Sequence, residues 1–130
     1  MKNKVDYWLD LCEDDPLTAK ALLNAGRLLH MGLFCHMTAE KALKAVVTNA
    51  VDEIPPRTHD LQKLAVRGGV FDAFTVGQLA LIDRLAPLQI EARYPEYKER
   101  IAKTLTVDYC KALLRETEEF LCWIKQRLGK

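Results

Sequence analysis

No stretch of this 130-residue chain comes near the roughly 18 consecutive apolar residues that cross a bilayer. Its first residues, MKNKVDYWLDLCEDD, are charged where a secretory leader would be apolar. Both absences point to a cytoplasmic protein with no membrane partner. Charge of one sign is missing as well: 19 Lys and Arg stand against 18 Asp and Glu, a net charge of +1. A domain that holds nucleic acid mainly by charge is normally strongly basic, so any such contact here needs a local basic cleft. Cys12, Cys35, Cys110 and Cys122 are widely spaced, with no C-x-x-C pair and no Cys/His cluster at zinc spacing. They read as small buried hydrophobes, and neither metal nor cofactor is expected. Glycine-rich nucleotide loops, metal-ligand helix motifs and a nucleophile elbow are also lacking.

What is present is enough for one domain over residues 1–130. Hydrophobic residues make up 49% of the chain, which can bury a core without covalent staples. The dominant signal is helical periodicity. Leu28, Met31, Cys35, Ala39, Ala42 and Val46 recur three or four apart, which predicts a long central helix over Leu28 to Val47. At about 100° per residue, His36 and Glu40 fall together on the flank of that face. His30, Lys41 and Lys44 turn to the far side, together with Leu33, Phe34 and Met37. A helix apolar around so much of its girth is expected to pack within its own chain and against a second subunit.

Val5, Leu9, Cys12, Pro16, Ala19 and Leu23 mark an earlier helix over residues 3–24, expected to kink or break at Pro16. Asp15 would then cap its second segment, and Gly26 would stop it in a left-handed conformation. The very short link to the central helix makes the two antiparallel neighbours. Asp52 to His59, with two adjacent prolines, reads as a loop, followed by a short helix over Asp60 to Val66 closed by Gly68-Gly69. Thr75 caps a helix to about Ala86 that carries Leu79, Ile82 and Leu85 inward. A bend is expected at Tyr94-Pro95, then another helical turn or two over Glu96 to Lys103. Thr106 caps a final helix to about Leu128, with Cys110, Leu113, Leu114, Leu121, Ile124 and Leu128 on one side. With no strand-like alternation, the class is all-α, an antiparallel up-and-down bundle of four to five helices.

Four polar constellations are candidates for chemistry. His36 and Glu40, one turn apart, let a carboxylate orient an imidazole, or form a buried structural pair. Lys41 and Lys44 offer phosphate contacts, or merely solvate a helix face. Arg57 and His59 precede a helix start, where backbone N–H groups favour anions, or belong to an ordinary polar loop. Arg93 can set a guanidinium on a phosphate, with Tyr94 and Tyr97 as stacking surfaces, or tie the bundle together through a carboxylate such as Glu40. No residue is assigned a catalytic role.

The segments CHMTAEKALKA at 35–45, PPRTHDL at 55–61 and EARYPEY at 91–97, with YWLDLCEDD and TAKALL before them, resemble the HEPN (higher eukaryotes and prokaryotes nucleotide-binding) domain family. The similarity runs from about Val5 to Leu128. It implies a bundle of four or five helices that dimerises, and a separately encoded minimal nucleotidyltransferase as partner in a toxin–antitoxin-like pair. It also implies nucleotide or RNA binding. Many family members cleave RNA without a metal, through an Arg followed after four to six residues by His. After Arg93 those positions hold Lys98, Glu99 and Arg100, so this motif is not found. Cleavage would therefore need an acid/base residue from elsewhere, because proton transfer near neutral pH favours an imidazole. The competing expectations are a binding module, a metal-free ribonuclease with an unconventional acid/base group, and a purely structural interaction module.

Overall fold

The computed structural model describes residues 3–51, 54–92 and 95–130, with side chains throughout these except at 90–92 and 95–98. The order is α1 (Lys4–Asn24), α2 (Leu28–Val51), α3 (Leu61–Arg67), a 3-10 turn (Phe71–Ala73), α4 (Val76–Leu85), a 3-10 stretch (Ala86–Ala92), α5 (Pro95–Ala102) and α6 (Val107–Arg127). The expected all-α helical bundle is the one observed, and no strand forms among the described residues. The described residues form six helices where four to five were expected, because α3 and α5 are single short rods of 7 and 8 residues. None of the described helices is long and apolar enough to cross a membrane.

Local sequence sets most of the boundaries. Asn3, Asp60, Thr75 and Thr106 each accept a hydrogen bond from the backbone N–H three residues on, satisfying a donor that the first turn leaves orphaned. At Thr75 the Gln78 side chain returns the bond, completing a capping box. Gly26, at φ +76°, closes α1, with Arg27 N–H bonded back to the Leu22 carbonyl and Gly26 N–H to that of Leu23.

The expected break at Pro16 does not occur: α1 is one 21-residue helix, capped by Asn3 and not by Asp15. Proline inside a helix removes a hydrogen bond and costs about 3 kcal/mol in an exposed rod. Here the ring is buried, and the residue before it is tied to the neighbouring helix through Asp15 Oδ2 and Lys41 Nζ at 2.8 Å. Packing and that tie hold the helix through its weak point.

Helix α2 is the axis. It runs 24 residues, about 36 Å at helical rise, and touches α1, α3, α4, α5, α6 and the 86–92 stretch. Thirteen of its residues are buried, so its small side chains, Ala39, Ala42 and Ala45, let neighbours approach from several directions. Gly32 is one such position: a Cβ there would lie 3.3 Å from Leu88, so this glycine seats the 86–92 stretch against α2. Buried hydroxyls of Thr38, Thr48 and Thr117 donate to carbonyls four residues earlier, which removes the cost of burying them unpaired.

Three expected faces are corrected. Lys41 and Lys44 do not stand on an open far side, because α1 covers that side of α2 and both are half-buried in ion pairs. Leu79 is exposed, and Leu81 joins Ile82 and Leu85 inside instead. Cys122 is exposed, turned outward by the same period that buries Leu121 and Ile124. Cys12, Cys35 and Cys110 are buried as expected. Burial pushes the Cys12 and Cys35 thiols up to about 12, so neither is a nucleophile near neutral pH.

Candidate functional site

The polar residues that converge do so on Glu40. This side chain is 10% exposed, midway along α2, and its two oxygens meet three cation-forming groups. Lys44, one turn on, donates to Oε2 at 3.1 Å. His59 donates from Nδ1 to Oε1 at 2.7 Å, reaching in from the loop that precedes α3. His36, one turn back, places Nε2 at 3.4 Å from the same Oε1.

The two histidines differ in kind. His36 is fully buried, and its Nδ1–H donates at 2.9 Å to the carbonyl of Leu85, the last residue of α4. That bond fixes the ring. Nε2 therefore faces the carboxylate edge-on but makes no hydrogen bond. It carries a proton only in the imidazolium form, which would set opposite charges together. His59 has a half-exposed side chain, at 50%. With Nδ1 bound to Glu40, its Nε2 edge is the one left for solvent or a ligand, the geometry by which a carboxylate selects an imidazole tautomer. Neutral, that Nε2 accepts a proton; protonated, it donates to an anion.

Burial works against the charged form of Glu40, but the His36 ring, the His59 hydrogen bond and Lys44 together outweigh it and hold the carboxyl down at about 2. Glu40 is thus a fixed negative charge, not a proton donor, at any ordinary pH. Lys44 is itself pinned twice, since its ammonium also lies 5.5 Å from the centroid of the Trp8 ring on α1.

The sequence model of the HEPN domain matches residues 5–128. The chain belongs to the HEPN domain family. Comparison with curated proteins and with solved structures returned no match. Membership places this HEPN chain among proteins whose functions relate to nucleotides and RNA.

Of the residues singled out in the sequence, His36, Glu40, His59 and Lys44 come together in this HEPN fold. Lys41 is drawn away to Asp15, its Nζ at 2.8 Å from Oδ2. Arg57 is exposed, two residues before His59 in the same loop. Arg93 and Tyr94 lie outside the described residues, and Tyr97 is described only as a position in α5. The expected alternative, a tie from Arg93 to Glu40, therefore also lies outside the described residues. No group of three or more His, Cys, Asp or Glu that could hold a metal occurs among the described residues.

Periodicity did not point to Trp8 or to the pairing of His59 with Glu40. The signal for Trp8 was available: it stands next to the core position Leu9, where an aromatic ring reaches from the core edge toward the neighbouring helix. For His59 there was none, since a 19-residue separation through a proline loop has no period.

Proposed function

We propose that this HEPN protein acts as a homodimer that binds the phosphate of a nucleotide or of RNA, and pairs with a minimal nucleotidyltransferase in a toxin–antitoxin-like couple. One observation carries the reading: His59, turned by its bond to Glu40, directs a half-exposed imidazole edge outward from the loop that also holds Arg57. In its protonated form that edge donates to a phosphate oxygen while Nδ1 remains anchored, and Arg57 supplies a forked cation nearby in the chain. Arg93 is the second anion-binding group in this proposal, with Tyr94 and Tyr97 beside it. Lys41 and Lys44 contribute charge from α2, although their ammonium groups are already committed to Asp15 and Glu40. Central-helix residues supply the dimer contact.

The same His59 geometry favours a second reading, metal-free RNA cleavage. A carboxylate-oriented imidazole is the acid/base group that the missing motif histidine would otherwise provide. Here a neutral Nε2 would take the proton of an attacking hydroxyl.

Titration with ATP and with a labelled single-stranded RNA at low salt tests the first reading. His59→Ala and Arg93→Ala are each expected to weaken binding about tenfold, the loss of one charge-assisted contact. Unchanged affinity in both variants would leave only a scaffold. RNA cleavage in the presence of chelator that disappears in His59→Ala would select the second reading, and a monomer by light scattering at micromolar concentration would remove the dimer.

A further inference from the structure

Two concave surfaces among the described residues are walled by a tryptophan. The larger, about 590 Å³, runs between α1 and α6 beside Trp123. Its aromatic ring is already used: Trp123 packs on Phe74 and Phe120, and the Arg127 guanidinium lies 5.1 Å from its centroid. Its rim mixes Lys111 and Arg115 with Glu118 and Glu119, which favours no ligand charge. The smaller, about 380 Å³, lies between the first turns of α1 and the chain entering the 54–60 loop. That size is within the roughly 300–1,000 Å³ of small-ligand sites.

The smaller groove has unspent aromatic surface. Tyr7 is 56% exposed, and its ring meets that of Trp8 edge-on, with centroids 5.4 Å apart at 80°. Pro55 is buried opposite, and Ile54 beside it is almost fully exposed. Lys4 stands at the mouth. Two features join this groove to the Glu40 cluster. Trp8 forms part of its wall and also holds Lys44, the lysine bonded to Glu40. The loop whose first residues, Ile54 and Pro55, line the groove carries Arg57 and His59 a few residues later.

We propose that the groove walled by Tyr7, Trp8, Ile54 and Pro55 is a nucleobase subsite, which stacks the ring of the same nucleotide whose phosphate meets His59 and Arg57. This rests on the phosphate-binding reading above. A flat heteroaromatic ring is the ligand chemistry that uses an exposed tyrosine ring with the apolar Ile54 beside it, because stacking is tolerant of which base is present. An aliphatic ligand would gain from Ile54 and Pro55 but would leave the aromatic quadrupoles unused. The base can come from a free nucleotide or from a nucleotide of single-stranded RNA, and the groove reads the ring alike in both.

The test uses the full chain with ATP, oligoadenylate and tripolyphosphate as probes. Tyr7→Ala is expected to weaken ATP and oligoadenylate roughly 5- to 50-fold, as for loss of one stacking partner, and to leave tripolyphosphate unchanged. Weakening of only one of the two adenine ligands would identify the source of the base. Tyr7→Phe should restore binding. Protein fluorescence reports the place: ATP should quench the wild type, and the quench should vanish in Trp8→Phe. A quench that persists in Trp8→Phe puts the ring at Trp123 and overturns the proposal, as does equal ATP affinity in Tyr7→Ala. If His59→Ala weakens all three probes but Tyr7→Ala none, the base subsite falls and the phosphate reading stands. If the wild type binds none of the probes, both fall together.

Discussion

Two charged constellations bridge separate elements, α4 to α6 in one and α2 to the loop before α3 in the other, and they are built on opposite terms. Arg84 on α4 and Glu116 on α6 form a closed pair: Nη1 donates to Oε2 at 2.9 Å and Nη2 to Oε1 at 2.7 Å, one cation against one anion. The two shifts agree, since the shared hydrogen bonds raise the Arg84 pKa and lower that of Glu116. Glu40 is the reverse. One carboxylate faces Lys44, His36 and His59; one of these nitrogens is buried without a hydrogen bond, and one imidazole edge is turned to solvent. In the closed pair the charges balance and the fork matches one guanidinium edge to both carboxylate oxygens. The Glu40 cluster leaves the outward Nε2 edge of His59 unspent, and bonding capacity on an accessible edge is what a ligand can use.

The contrast is broken most forcibly by Glu40→Gln. Removing the one carboxylate that the described residues set against three cation-forming groups, in a largely buried setting, should cost about 3 kcal/mol in denaturant unfolding. The same group sets an acid limb. Its folded pKa, about 2, lies below the ordinary carboxylate value of 4.5, so its stabilisation is complete above pH 4.5 and is lost as the pH falls toward 2. The loss is about 2–3 kcal/mol over that window. In Glu40→Gln this limb should flatten. A variant as stable as the wild type, with the same acid profile, would mean that the cluster does not support the fold.

How much of this was legible in the sequence depends on distance along the chain. His36 and Glu40 were legible because one helical turn fixes their neighbourhood, and so were the caps at Thr75 and Thr106, each a local reading of side chain against backbone. Helix α2 was legible as central because its apolar residues ran past a single stripe. The consequence for Lys41 and Lys44 was not. On a helix covered from several sides, the side away from the first apolar stripe is another interface, and only Asp15 and Trp8 on α1 show which one. Pro16 misled for a similar reason, since local chemistry predicted a break and tertiary packing outweighed it. Leu79 failed because ten residues allow more than one inward face, and contacts with neighbours choose among them. The match of His59 to Glu40 is tertiary throughout.

A smaller effect tests the closed pair. Arg84 and Glu116 are each partly exposed, so solvent screens their attraction, and the bidentate fork is the feature that lifts them above an ordinary surface pair. A double-mutant cycle with Arg84→Ala and Glu116→Ala should return a coupling of about 1 kcal/mol, shrinking at high salt. A coupling as large as the loss in Glu40→Gln would erase the distinction between the two constellations. A coupling near zero would sharpen it.

The smallest expected change in stability is the most informative. His59→Ala takes one donor from a carboxylate that keeps Lys44 and the His36 ring, and the imidazole it removes is half in water already. Its hydrogen bond therefore competes with solvation, and the loss should stay within about 0.5 kcal/mol of the wild type in denaturant unfolding. Binding should move the other way, with the roughly tenfold loss expected of a phosphate contact. A structural bond would show the opposite split, with stability falling and affinity intact, and His59 would then be a strut between the proline loop and α2. The ratio of the two effects at this one residue separates a site from a scaffold, because Glu40 orients the ring in either case and only the outward Nε2 edge is free to serve a ligand.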